Sequence, residues 1–112
     1  MRLTLLAITY DGPPQRRPPS RVQVVASLLA AAEAGTRPRS AGVLRDDADV
    51  VLEHVSASIG RRYIFLGLYS RGAADAATAR HTMAVLVERA LASCEALADW
   101  RIDAQAFPGD AP

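Results

Sequence analysis

The chain has 112 residues, half of them hydrophobic and 22% charged, which is enough for one two-layer core and too few for two domains. Its formal net charge of +1 supplies no electrostatic reason to bind nucleic acid or an anionic membrane. A single cysteine, Cys94, excludes an internal disulfide and a cysteine-cluster metal site.

Residues 3–10 are apolar on both sides, with Leu3, Leu5 and Ala7 alternating with Leu6 and Ile8. Such a strand sits centrally in a sheet, and something must cover each of its faces. The run is too short to span a bilayer, and the start reads as a strand rather than a signal peptide, so the expected location is the cytoplasm. Asp11-Gly12-Pro13-Pro14 breaks the strand, and the proline- and arginine-rich stretch to Pro19 reads as a stiff surface loop without PxxP spacing.

Ser20 and Gln23 form a capping-box pattern at the start of a helix over 20–34. Val22, Val25, Leu29 and Ala32 recur at helical spacing as its expected buried stripe, and Gly35 is a natural stop. Residues 36–48 read as irregular, with a short strand at 41–44. The acidic group Asp46, Asp47 and Asp49 reads as a polar turn, because it lacks the glycine and terminal glutamate of a calcium loop.

Residues 50–59 form the second strand, Gly60-Arg61 a tight turn, and 63–69 the strongest strand of the chain, making an antiparallel hairpin. A second helix over 73–98 aligns Met83, Leu86, Val87, Ala90, Cys94 and Leu97 on one stripe. The last strand, 100–107, alternates Ile102, Ala104 and Ala106 with Arg101, Asp103 and Gln105; residues 108–112 read as a frayed tail. All 13 basic residues are arginine, and lysine and asparagine are absent, which reflects the codon usage of a GC-rich, bacterial genome rather than function.

One unit occurs twice: a strand closing on tyrosine, a polar turn, and an alanine-rich helix. The order strand, helix, hairpin, helix, strand resembles a ferredoxin-like split βαβ sandwich (α+β, βαββαβ), with residues 1–107 as one domain. It implies a four-stranded antiparallel sheet ordered 4-1-3-2 with both helices on one face. The two repeated strands are expected to be parallel neighbours, which would bring Tyr10, Asp11-Gly12 and Ser70-Arg71-Gly72 to one edge.

Two helices on one face leave the other face open. On the third strand Ile64, Leu66 and Leu68 are assigned to the helices, and Tyr63, Phe65, Gly67 and Tyr69 to the open face, joined there by Arg101. A face so apolar needs a cover, and a homodimer is the first expectation, with a small-molecule or protein partner next. The candidate binding residues are therefore Tyr63, Phe65, Tyr69 and Arg101, with Tyr10 and Asp11 at the turn edge.

Arg61, Tyr63 and Phe65 match the third-strand spacing of RNA-recognition motifs, but Arg62, Ile64, Leu68 and Thr4 depart from that pattern, so no nucleic acid is expected. The primary reading is a small binding, regulatory or accessory module. The alternative is a small cofactor-independent enzyme of the cyclase, isomerase or oxygenase kind, with a pocket between sheet and helices. Its catalytic residues would be His54 as general base with Tyr63 or Tyr69 as its acid–base partner, because imidazole titrates near neutral pH. His81 falls off the apolar stripe and has no ligand partner at helical spacing, so no metal is expected. With no phosphate loop, GxSxG elbow or dinucleotide fingerprint, no cofactor is expected either.

Overall fold

A computed structural model describes residues 2–14, 17–35 and 50–103. Along them run β1 (Arg2–Tyr10), α1 (Arg21–Gly35), β2 (Val51–Ile59), β3 (Tyr63–Arg71), α2 (Ala76–Ser93), one 3-10 turn (Glu95–Leu97) and β4 (Trp100–Ile102). The expected strand at 41–44, the acidic turn of Asp46, Asp47 and Asp49, the continuation of the last strand past Asp103 and the tail all lie outside the described residues. The class is α+β: one four-stranded antiparallel sheet, ordered β2-β3-β1-β4, and two helices.

Period-two alternation divides the two central strands into faces. Thr4, Leu6, Ile8 and Tyr10 of β1 are buried on one side, in register with Leu68, Leu66 and Ile64 of β3. All of these but Thr4 join Val24, Leu28 and Ala31 of α1 and Met83, Leu86, Val87 and Ala90 of α2 in one apolar cluster, closed at the β4 end by Leu97 and Trp100. Each fully buried Leu or Ile there contributes about 1.5–3 kcal/mol.

The α1 cap is as the sequence implies: the Ser20 amide donates to Gln23 Oε1 at 2.9 Å and the Gln23 amide to Ser20 Oγ at 3.2 Å. Its buried stripe is not. Val24, Leu28 and Ala31 face the sheet, whereas Val22 is 76% and Leu29 44% exposed. The helix is apolar on nearly every side, so periodicity alone does not orient it; packing against β2 and α2 does.

In α2 Met83, Leu86, Val87 and Ala90 of the expected stripe are buried, Cys94 beyond its end is only half-buried, and the helix is shorter at both ends. Asp75 caps it, accepting the Thr78 amide at 2.7 Å, and the chain leaves helical geometry at Cys94. The 3-10 turn then returns Leu97 to the core. Asp99 adopts a left-handed conformation (φ 69°) that reverses the chain into β4.

The relation of the repeated strands differs from expectation. β1 and β3 are antiparallel neighbours, with Arg2 opposite Ser70 and Thr9 opposite Tyr63. Asp11-Gly12 and the Ser70–Gly72 region therefore lie at opposite ends of the sheet and do not form one edge. β3 also continues through Ser70 and Arg71, leaving Gly72 (φ 95°) as the residue that turns the chain.

Candidate binding face

The odd-numbered residues of β1 and β3 make up the side of the sheet away from the helices. Along β3 they are Tyr63, Phe65, Gly67 and Tyr69; along β1, Leu3, Leu5, Ala7 and Thr9, register partners of Tyr69, Gly67, Phe65 and Tyr63 respectively. β4 adds Arg101, opposite Thr9. On β1 and β3 four large apolar side chains stand out from this face: Leu3 51%, Leu5 40%, Tyr63 43% and Phe65 47% exposed. Tyr63 and Phe65 stack on each other, ring centroids 6.1 Å apart and 13° from parallel.

β2 contributes His54, Ser56 and Ser58, and it does so through an irregularity. Leu52 pairs with Ser70 but His54 pairs with Tyr69, so Glu53 is an extra residue in β2. Without that bulge, strict alternation would leave His54 on the same side as Leu52. With it, Val55 and Ala57 take the buried side and His54 joins the open face, 5.5 Å ring to ring from Tyr69.

The centre of the face is recessed. Leu3, Leu5, Ser56, Ser58, Phe65 and Tyr69 surround a groove of about 260 Å³ whose floor is Gly67. A Cβ built on Gly67 would lie 2.5 Å from Ser56 Oγ and 3.5 Å from Leu3 Cδ1, so glycine sets the depth of the recess. Charge is confined to the ends: Arg101 pairs with Asp11 at 2.7 Å at one, Arg71 with Glu53 at 2.6 Å at the other. Both arginines and Asp11 are largely solvated and Glu53 partly so, and surface pairs of this kind contribute about 0–1 kcal/mol.

Of the residues singled out from sequence, Tyr63, Phe65, Tyr69 and Arg101 share this face. Tyr10 does not. It is buried among core residues, its ring 5.4 Å from that of Trp100, and its hydroxyl donates to the Pro13 carbonyl. Asp11 is engaged with Arg101 at the periphery. The pairing of His54 with Tyr63 is also not formed, because His54 lies beside Tyr69, six residues and about 20 Å further along β3. Sequence reasoning passed over Leu3, Leu5, Ser56 and Ser58 as individual site residues. The signal for them was the two-sided apolarity of β1 and the break in the β2 alternation.

Among the described residues no three His, Cys, Asp or Glu side chains gather as a metal site, and no helix is long and apolar enough to cross a membrane. Comparison of the chain with protein-family models, with curated proteins and with solved structures finds no match.

Proposed function

We propose that this chain is a small binding or accessory module of ferredoxin-like topology that works as a homodimer, through its open sheet face. The single observation behind this is the exposure of Leu3, Leu5, Tyr63 and Phe65 together on one surface around an uncharged groove. Contiguous apolar surface of that kind marks a contact site far more often than it is left in water. The element order and the strand order β2-β3-β1-β4 support the topological reading. The acid–base alternative asks His54 to meet Tyr63 or Tyr69 in a pocket between sheet and helices; Tyr63 lies at the far end of β3, and Tyr69, 5.5 Å ring to ring from His54, shares the open face with it instead.

The test is native mass spectrometry of the purified chain beside the double variant Tyr63→Ser/Phe65→Ser. The parent chain is expected to be dimeric and the variant monomeric with unchanged circular dichroism. A parent chain that is monomeric at tens of micromolar refutes the homodimer, and one that is also free of a small-molecule adduct refutes the open face as a binding surface.

A further inference from the structure

The open face carries a projection and a recess two residues apart on the same strand. Phe65 stands out from β3, supported from behind by the stacked ring of Tyr63. Gly67 has no side chain and floors the groove of about 260 Å³. An apolar cavity of about 150 Å³ already accepts a benzene ring, so this groove has room for one phenyl side chain. The molecule's own Phe65 forms a wall of the groove and cannot fill it.

A twofold axis lying between two such faces, perpendicular to the strands at the level of Leu66, sets Phe65 of each copy over Gly67 of the other. Leu6 is the register partner of Leu66, so the same operation sets Leu5 against Ala7 of the second copy. Large opposes small on both central strands. Tyr63 then meets Tyr69 of the second copy, and the charged pairs stay at the ends, so no ion is stripped of water at the centre.

We infer that the molecule covering the open face is a second copy of this chain, docked about that axis with Phe65 of each seated in the Gly67 groove of the other. The inference rests on the open face being the binding surface. The three nine-residue strands are about 30 Å long and together span about 14 Å, and with the three-residue β4 at one edge the face is roughly 500 Å² in projection per copy. The total of about 1,000 Å², enlarged by side-chain relief, stands at the lower bound for a specific interface. The dimer is therefore reversible, and isologous in that every contact occurs twice.

Sedimentation equilibrium on four proteins tests the register: the parent, Phe65→Ala, Gly67→Phe, and the swap F65A/G67F. All carry Ser56→Ala, which removes the hydroxyl that the new Cβ would meet at 2.5 Å. Circular dichroism checks folding, and Gly67→Val replaces Gly67→Phe if the latter does not fold. Each single change is expected to weaken the dimer at least about tenfold, the loss typical of a central aromatic anchor. The swap restores it to within about threefold of the parent, because the transplanted ring of each copy then faces the space vacated by the Phe65→Ala change in the other. Weakening by both single changes without recovery in the swap overturns the register and leaves the face as the binding surface. A dimer indifferent to both single changes overturns the face as well. A strictly monomeric parent overturns the second copy, and a small-molecule adduct in native mass spectra would then keep the binding reading alone.

Discussion

Ser70 offers a substitution whose expected sign is opposite to the usual one. It lies on the helix side of β3, in line with Ile64, Leu66 and Leu68, and is 0% exposed. Among the described residues its Oγ has no hydrogen-bond partner. Burying a hydroxyl without a partner costs about 1–3 kcal/mol in proteins, since the bond to water is lost and nothing replaces it. Ser70→Ala removes that cost. It leaves a void smaller than a water molecule, which at ~24 cal/mol per Å³ returns only a few tenths of a kcal/mol. The net expectation is a gain of about 1–2 kcal/mol, or a rise in Tm of about 4–8 °C for a domain of this size. Urea unfolding followed by the fluorescence of buried Trp100 reads the change directly, with an unchanged m-value as the sign that only stability moved. A lower midpoint in Ser70→Ala would refute the reasoning, because it would mean that the hydroxyl has a partner in solution.

Two further outcomes concern the chain ends of the sheet and the second helix. A Cβ on Gly12 would lie 2.6 Å from Cζ of the buried Tyr10 ring, a rigid group that cannot swing away without leaving Trp100. Gly12→Ala is therefore expected to cost about 1–3 kcal/mol in urea unfolding, and an unchanged midpoint would show that the ring yields freely. The Asp75 carboxyl is held below its ordinary value of 3.8, chiefly by the Thr78 backbone N–H and then by the Thr78 side chain. A depressed folded-state value means that its contribution is complete above 3.8 and disappears as pH falls through the lower folded-state value. Asp75→Asn should flatten the acid limb of the stability profile there; parallel limbs for the two proteins would count against this assignment.

Most of the sheet was legible from sequence because β3 combines strong strand propensity with strict alternation. That pattern assigned Ile64, Leu66 and Leu68 to the core and Tyr63, Phe65 and Tyr69 to the open face, as the structure has them. Four features were not legible, each for a physical reason. The α1 stripe was misplaced by one residue, about 100° around the helix, because Val22, Val24, Val25, Leu28 and Leu29 offer two apolar sides, and only tertiary contacts choose between them. The direction of β1 relative to β3 was misjudged from the repeated unit, although similar local segments carry no information about their relative orientation. The face of His54 depended on the bulge at Glu53, whose trace is the spacing of Leu52, Val55 and Ala57, three residues and then two. The groove was hidden as well, since a lone glycine in a strand announces a close approach but not what approaches.

The bulge has a further consequence for how copies of the chain can meet. β2 is outermost in the strand order, the position where another chain could add a strand and extend the sheet without limit. The extra residue at Glu53 breaks the regular ladder of that strand, and its carboxylate is tied inward to Arg71. Growth sideways, which would give open-ended fibrils, is thereby discouraged, whereas the face-to-face contact proposed above would close after two copies. The irregular border of this nine-residue strand thus acts against a polymer.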